Sequence, residues 1–390
     1  MLVHDDCLNA LRHLKANSVD LIYLDPPFFT QKKHKQANRE NTEEYAFDDY
    51  WDSIDAYRTY MEERLRVCHS VLSESGSLFL HCDKSASHHL RFALDQVFSP
   101  KNFQSEIIWT FRRWSNAKKG LLNSHQVIFF YSKTKNFKFY QTYQEYSPTT
   151  NLDQIFQERV RDKRGKSAYK KSDSKPVLIP EKKGVPLGDV WDIPYLNPKA
   201  KERVGYPTQK PIALLERVIA LTTCEGDLVF DPFCGSGTTL VAAKLMNRRF
   251  IGMDLSAKAV RLSLQRVKNP IKSDSALLKN GRESFKNQCL KISEFLEGIN
   301  AYPVQRNKGI DGFLKDGHSI KPIPIKVQRI NESIEEAKTK LLRACKNADF
   351  DKKLLISLNS HNFEEMPVES LFVIPSLLAS KEYISKKIFK

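Results

Sequence analysis

The sequence predicts a doubly wound α/β sheet followed by a small α+β unit, and three observations carry the expectation. Short apolar runs alternate with amphipathic helical patterns along residues 20–270, the rhythm of a sheet covered on both faces by helices. One run passes from strand to helix through Gly235 and Gly237 and returns to a strand ending in Asp254, as nucleotide-binding crossovers do. The 390 residues also exceed the size at which a single core stops growing, roughly 250–300 residues, so more than one unit is required.

Taken in order, residues 20–24 (DLIYL) form a strand that ends in Asp25, Pro26, Pro27 and Phe28. The stretch 30–50 has few apolar residues and reads as a long mobile loop. Residues 57–72 place Tyr57, Met61, Leu65, Cys68 and Leu72 on one helical face, after which Ser75 and Gly76 turn the chain into the strand SLFLHC. A helix at 87–97 and strands at 105–111 and 126–131 follow. Order then weakens until a helix at 211–222, the strand DLVFD, a helix at 238–247 and a strand at 250–254. The sheet is expected in two pieces, 1–145 and 204–270. Residues 146–203 are inserted between them, 271–291 form a linker, and 292–390 are an accessory α+β domain.

Composition narrows the class of partner. A hydrophobic fraction of 41% is enough for sizeable cores and argues against a disordered or fibrous chain. The net charge of +16 predicts attraction to a polyanion. The surplus is concentrated in residues 101–203, with 21 Lys+Arg against 10 Asp+Glu. Phe111, Trp114, Tyr143, Tyr146, Tyr169 and Trp191 are interleaved there, a mixture suited to phosphates and exposed bases. The acidic N-terminus and the lack of a long apolar run predict a cytoplasmic protein with no membrane partner. The seven cysteines show no CxxC pair, so they are expected as reduced thiols with no metal site.

Two constellations carry chemistry. In residues 227–256, Gly235 and Gly237 let the backbone turn tightly beneath a ligand, and Asp254 stands where a carboxylate can accept from ribose hydroxyls. Leu240 occupies the place of a third glycine, which disfavours a dinucleotide site. At 25–28, two prolines stiffen a strand end, so that Asp25 and the Pro26 carbonyl can accept from one amino group while Phe28 offers a stacking face.

FCGSG at 233–237 and DPPF at 25–28, with DDCLNALRHLKANSVDLIYLDPPF at 5–28 and YPTQKPIALLERVI at 206–219, resemble the motifs of the bacterial amino-methylating DNA methyltransferases. The DPPF block lies 206 residues ahead of Asp231, which resembles the permuted beta class of that family. The resemblance implies the Rossmann-like mixed sheet of S-adenosylmethionine-dependent methyltransferases, with double-stranded DNA as substrate. Asp231, Phe233, Gly235 and Gly237 would line the cofactor pocket and Asp254 would hold the ribose. Asp6 and Cys7 would lie beside the cofactor adenine, with Thr208 and Lys210 near its methionine end. Asp25, Pro26, Pro27 and Phe28 would hold the target base, and Asp rather than Ser at position 25 leans towards adenine N6 over cytosine N4.

The same resemblance implies a flipped-out base and a restriction-modification setting, with a homodimer and a cognate restriction endonuclease as further candidate partners. Lys32, Lys33, Lys35 and Arg39 are placed to close over the nucleotide, while Arg112, Arg113 and the cluster Arg159, Arg161, Lys163, Arg164 and Lys166 are candidates for DNA contacts. His81 and Asp83 read as a polar strand terminus lining the base pocket. The C-terminal unit faintly resembles restriction-nuclease folds at Asp311 and Lys326, but Pro324 stands where an acid belongs, so cleavage is not expected. The alternatives are a cytosine N4 methyltransferase, a non-catalytic DNA-binding subunit that keeps the fold, and RNA as substrate.

Overall fold

The structure is a computed structural model and describes residues 1–38, 41–111, 120–144, 157–161, 165–172, 175–177, 184–274, 290–304, 307–314, 322–346, 350–358, 364–366, 370–376, 379–380 and 384. The chain divides into two compact units, Met1–Leu278 and Lys279–Lys390.

The first unit is built on an eight-stranded mixed sheet. Its spatial order is Leu2–His4, Arg249–Asp254, Leu228–Asp231, Val19–Leu24, Leu72–Cys82, His125–Ser132, Phe103–Thr110 and Val190–Asp192. The first five strands run parallel, and His125–Ser132 is antiparallel to both neighbours. Strand alternation divides the core between the two faces. Ile22, Leu24, Leu78 and Leu80 pack against Tyr57, Met61 and Leu65 of the helix Ile54–Val71. Leu21, Tyr23 and Phe79 pack on the other face, against Leu215, Val218 and Ile219 of the helix Ile212–Thr222. Each such fully buried side chain contributes about 1.5–3 kcal/mol. The order places the ends of Val19–Leu24, Leu228–Asp231 and Arg249–Asp254 side by side, so Asp25, Asp231 and Asp254 meet at one edge.

Several expectations are corrected. The stretch 30–50 is not a structureless loop: Lys32–Ala37 and Glu44–Asp49 form an antiparallel hairpin. Cross-strand charge pairs Lys33 with Asp48 and Lys35 with Glu44, and these polar residues hid the strand pattern. Ser75 and Gly76 lie inside a single strand, Leu72–Cys82, whose register against Val19–Leu24 shifts between Leu72 and Ser77. Gly76 is needed for close approach there: a Cβ would lie 2.9 Å from the Val19 carbonyl oxygen. Phe111 and Trp191 are not available for bases, since both are buried at 1% exposure in the core. Val190–Asp192 pairs in parallel with Ile108–Thr110, so the sheet takes its outer strand from the segment expected to be inserted for recognition. Other described parts of that segment include short exposed pairs, such as Arg159–Arg161 with Ser167–Tyr169.

The second unit has a six-stranded sheet in the order Ala301–Pro303, Gly312–Leu314, Pro324–Val327, Lys353–Ser357, Leu371–Pro375 and Glu364–Met366. The helix Ile334–Cys345 starts at a capping box of Ser333 and Glu336 and packs Ala337 and Leu341 against Leu355, Leu371 and Val373. The carboxylate of Asp311 is saturated by protein donors: Val327 N at 2.7 Å, Arg329 Nη2 at 2.7 Å and Lys326 Nζ at 3.3 Å. Lys326 also meets Glu332 at 3.4 Å. Cations therefore occupy the position a magnesium ion would need. Incubation of the intact protein with duplex DNA and magnesium is expected to leave the DNA uncut, and cutting that Asp311→Ala removes would overturn this.

Candidate active site

A cavity of about 790 Å³ opens at the strand ends of the first unit, within the roughly 300–1,000 Å³ of small-molecule sites. Asp6, Cys7, Asp25, Pro26, Pro27, Phe28, Lys32, Thr208, Lys210, Asp231, Phe233, Gly235 and Asp254 all line it. Motifs separated by more than 200 residues in sequence thus share one space. Gly237 and Lys33 are not among the lining residues. At Gly237 φ is +75°, and a Cβ would meet Ser263 Oγ at 2.6 Å. That glycine admits the neighbouring helix rather than a ligand. Lys33 turns its ammonium to Asp48 at 3.1 Å.

One end of the cavity suits a polar, cationic molecule. Asp231 accepts from Phe233 N at 3.0 Å, and burial, reinforced by the charges of Asp25 and Asp254, pushes its carboxyl up to about 7. Asp254 accepts from Gly235 N at 2.8 Å and Ser256 N at 2.8 Å, which ties the glycine turn to the carboxylate at the next strand end. A carboxylate has about four acceptor sites, so ribose hydroxyls can still be served. Gly235 adopts φ +48°, and its own Cβ position lies 3.1 Å from the Tyr206 ring. Arg266, not singled out by sequence reading, donates to the Ser236 carbonyl at 2.7 Å and braces the turn from behind. Asp6 is held by Arg64 at 2.6 Å, and that guanidinium lies 3.3 Å from the centroid of the cavity-lining Tyr60 ring.

The other end is organised around Asp25. Its Oδ2 accepts from Lys210 Nζ at 2.5 Å, while its Oδ1 is buried without a hydrogen-bond partner. Burial raises the Asp25 carboxyl, and the Lys210 charge opposes this. His81 stands behind Asp25 rather than lining the cavity, with Nδ1 at 3.9 Å from Oδ1. Burial and Lys210 keep this histidine neutral. Nε2 donates to Gln126 Oε1 at 3.0 Å, so Nδ1 accepts from the Tyr23 hydroxyl at 2.7 Å. Asp83, the second residue of the expected polar terminus, does line the cavity.

The loop that carries Phe28 is fastened by a residue that sequence reading missed. Asp49, 1% exposed at the end of the hairpin, accepts from Phe28 N at 3.1 Å, Phe29 N at 3.0 Å, Thr30 N at 2.8 Å, Thr30 Oγ1 at 2.6 Å and Trp51 Nε1 at 2.9 Å. Phe29 is held at φ +61°, an unfavourable conformation for a bulky residue that these bonds stabilise. The available signal was the alternation of Tyr45, Phe47 and Asp49 on one strand face.

Among the DNA-contact candidates, Lys32 is exposed at the cavity and Arg161 is exposed on its short strand. Arg112, Arg113, Lys163 and Arg164, with Arg39, Trp114 and Tyr146, lie outside the described residues. No group of three or more His, Cys, Asp or Glu that could hold a metal ion occurs among the described residues, and no helix there is long and apolar enough to cross a membrane.

Residues 19–265 match the family model of the N6/N4 methyltransferases, described as DNA methylase. The DNA adenine methyltransferase YhdJ of Escherichia coli is 30% identical over 269 residues, covering 68% of this chain and 82% of its own. The type II methyltransferase M.HpaI of Haemophilus parainfluenzae is 27% identical over 368 residues, covering 93% of this chain and 98% of its own. Among solved structures, the M1.HpyAVI–SAM complex aligns with a TM-score of 0.43 at 18% identity, over 68% of this chain and 98% of that one.

Proposed function

Because the chain belongs to the N6/N4 DNA methylase family, we propose that it transfers a methyl group from S-adenosylmethionine to the exocyclic N6 of adenine in double-stranded DNA. The observation that carries the reading is the buried, unpartnered Asp25 Oδ1 beside the Phe28 ring, in the same cavity as Asp231, Gly235 and Asp254. A buried acceptor without a partner in the fold is suited to an incoming amino group. The residues fit the cofactor: carboxylates oppose its net positive charge, and the Gly235 turn allows close backbone approach. When bound, the cofactor supplies an electrophilic methyl group on a sulfonium.

The remaining work belongs to the protein. The base amine is a poor nucleophile because its lone pair is delocalised into the ring. Asp25 and the Pro26 carbonyl accept hydrogen bonds from it and favour the pyramidal nitrogen of the transition state, and the surplus proton leaves afterwards, once alkylation has raised the amine's acidity. Positioning within the cavity supplies much of the remaining acceleration. A base inside a duplex must be flipped out to reach it, and Phe28 recovers part of the unstacking cost, about 1–3 kcal/mol per stacked base. Adenine is favoured over cytosine by the Asp at position 25, and likeness to a DNA adenine methyltransferase supports the same assignment. Lys32 and Arg161, with Lys33 and the basic residues at 112–113 and 163–164, supply the phosphate-binding charge.

The test is incubation with methyl-labelled cofactor and duplex DNA, then digestion to nucleosides. Label in N6-methyl-2′-deoxyadenosine is expected. Label in N4-methyl-2′-deoxycytidine would overturn the base assignment, and DNA binding without any transfer would favour a non-catalytic subunit. A pH dependence follows from Asp231. Its carboxyl is ionised above about 7, and protonation below that removes a negative charge facing a cationic ligand. Cofactor affinity measured calorimetrically is therefore expected to weaken by about tenfold from pH 8 to pH 6.

A further inference from the structure

Lys210 belongs to TQKP, the stretch whose resemblance pointed to the methionine end of the cofactor, yet its side chain, 5% exposed, is committed elsewhere. The ammonium lies 2.5 Å from Asp25 Oδ2, 3.3 Å from the Thr208 carbonyl oxygen and 5.2 Å from the centroid of the Phe28 ring. The backbone that delivers it is braced on both sides. Thr208 sits at φ +60°, Gln209 is locked by bonds to Val204 N and the Glu202 carbonyl, and Glu202 accepts from Ile212 N at the start of the next helix. Asp25 is thus gripped through one oxygen. Its other oxygen cannot be satisfied from behind, because His81 Nδ1 is already an acceptor for Tyr23.

We propose that Lys210 is a positioning residue for methyl transfer: through its bond to Oδ2 it fixes the Asp25 carboxylate that meets the target amine. The inference rests on the methyltransferase reading above. A carboxylate in a dry site tends to take up a proton, and a protonated Asp25 would turn a donor towards an amine that itself needs an acceptor. The neighbouring ammonium opposes this, and its bond to Oδ2 also restricts rotation of the carboxylate. Loss of the ammonium therefore damages both charge and aim, without removing any group that holds Asp231 or Asp254.

The experiment compares Lys210→Gln and Lys210→Arg with the unmodified chain, Lys210→Met replacing glutamine should that variant unfold. Single-turnover methyl transfer by Lys210→Gln is expected to fall about 100-fold, with cofactor Kd within about threefold and the acidic limb of the pH–rate profile displaced upward by a unit or more. Lys210→Arg should recover most of the rate and return the limb. A cofactor Kd that weakens in step with the rate, the limb unmoved, would overturn the proposal and assign Lys210 to the cofactor. Carbon-13 NMR of the Asp25 carboxyl, identified by its loss in Asp25→Asn, gives a readout that needs no turnover. An upward shift of its titration in Lys210→Gln supports the pairing even in a protein that methylates nothing, and an unmoved titration overturns it.

Discussion

Replacing Asp25 by alanine is expected to lower methyl transfer by at least about 10²–10³-fold while leaving cofactor affinity within a few-fold. The buried Oδ1 has no hydrogen-bond partner in the fold, and the partner proposed for this carboxylate is the reacting amine. Removal also leaves the Lys210 ammonium buried without its carboxylate, which adds to the defect in the reaction rather than offsetting it. Single-turnover rates with labelled cofactor, set beside cofactor Kd from calorimetry, separate the two effects. A cofactor affinity that falls as far as the rate would show that Asp25 serves the cofactor instead.

Asp49→Asn is expected to be nearly as damaging, although Asp49 carries no chemistry. Five donors converge on its two oxygens, and asparagine keeps only one acceptor, so at least two donors lose their partner. Each buried group left unsatisfied costs about 1–3 kcal/mol, enough to release the loop bearing Phe28 and the strained Phe29. A displacement near 1 Å at a reacting centre costs about 10²-fold, and that loss should appear in rate and DNA affinity with cofactor Kd unchanged. A variant with full activity would show that the hairpin is only surface decoration. Thermal unfolding of the variant checks that the sheet itself persists.

What was legible in the sequence depended on local pattern. The strand DLIYL followed by Asp25 and two prolines, and the glycine turn before a helix, announce themselves because their chemistry needs consecutive residues. Periods of two and of 3.6 residues placed most strands and helices of the sheet within a few positions. The hairpin at 32–49 escaped because charged residues dominate its strands, and Trp191 was misplaced because a short edge strand offers too few residues to show its period.

The sequence by itself therefore determined the fold class, the two motifs and the kind of ligand they suit. The tertiary structure alone decided which side chains those motifs would meet. Lys210 and Asp25 are 185 residues apart, and nothing in their local patterns predicts a 2.5 Å contact. It arises because parallel strands bring their ends to one edge of the sheet, where the helix following Lys210 packs on one face and the hairpin carrying Asp49 closes over the turn. Local periodicity follows from backbone geometry and can be read along the chain. A buried charge pair or a carboxylate with five donors is set by distances in space between segments that sequence order leaves unrelated.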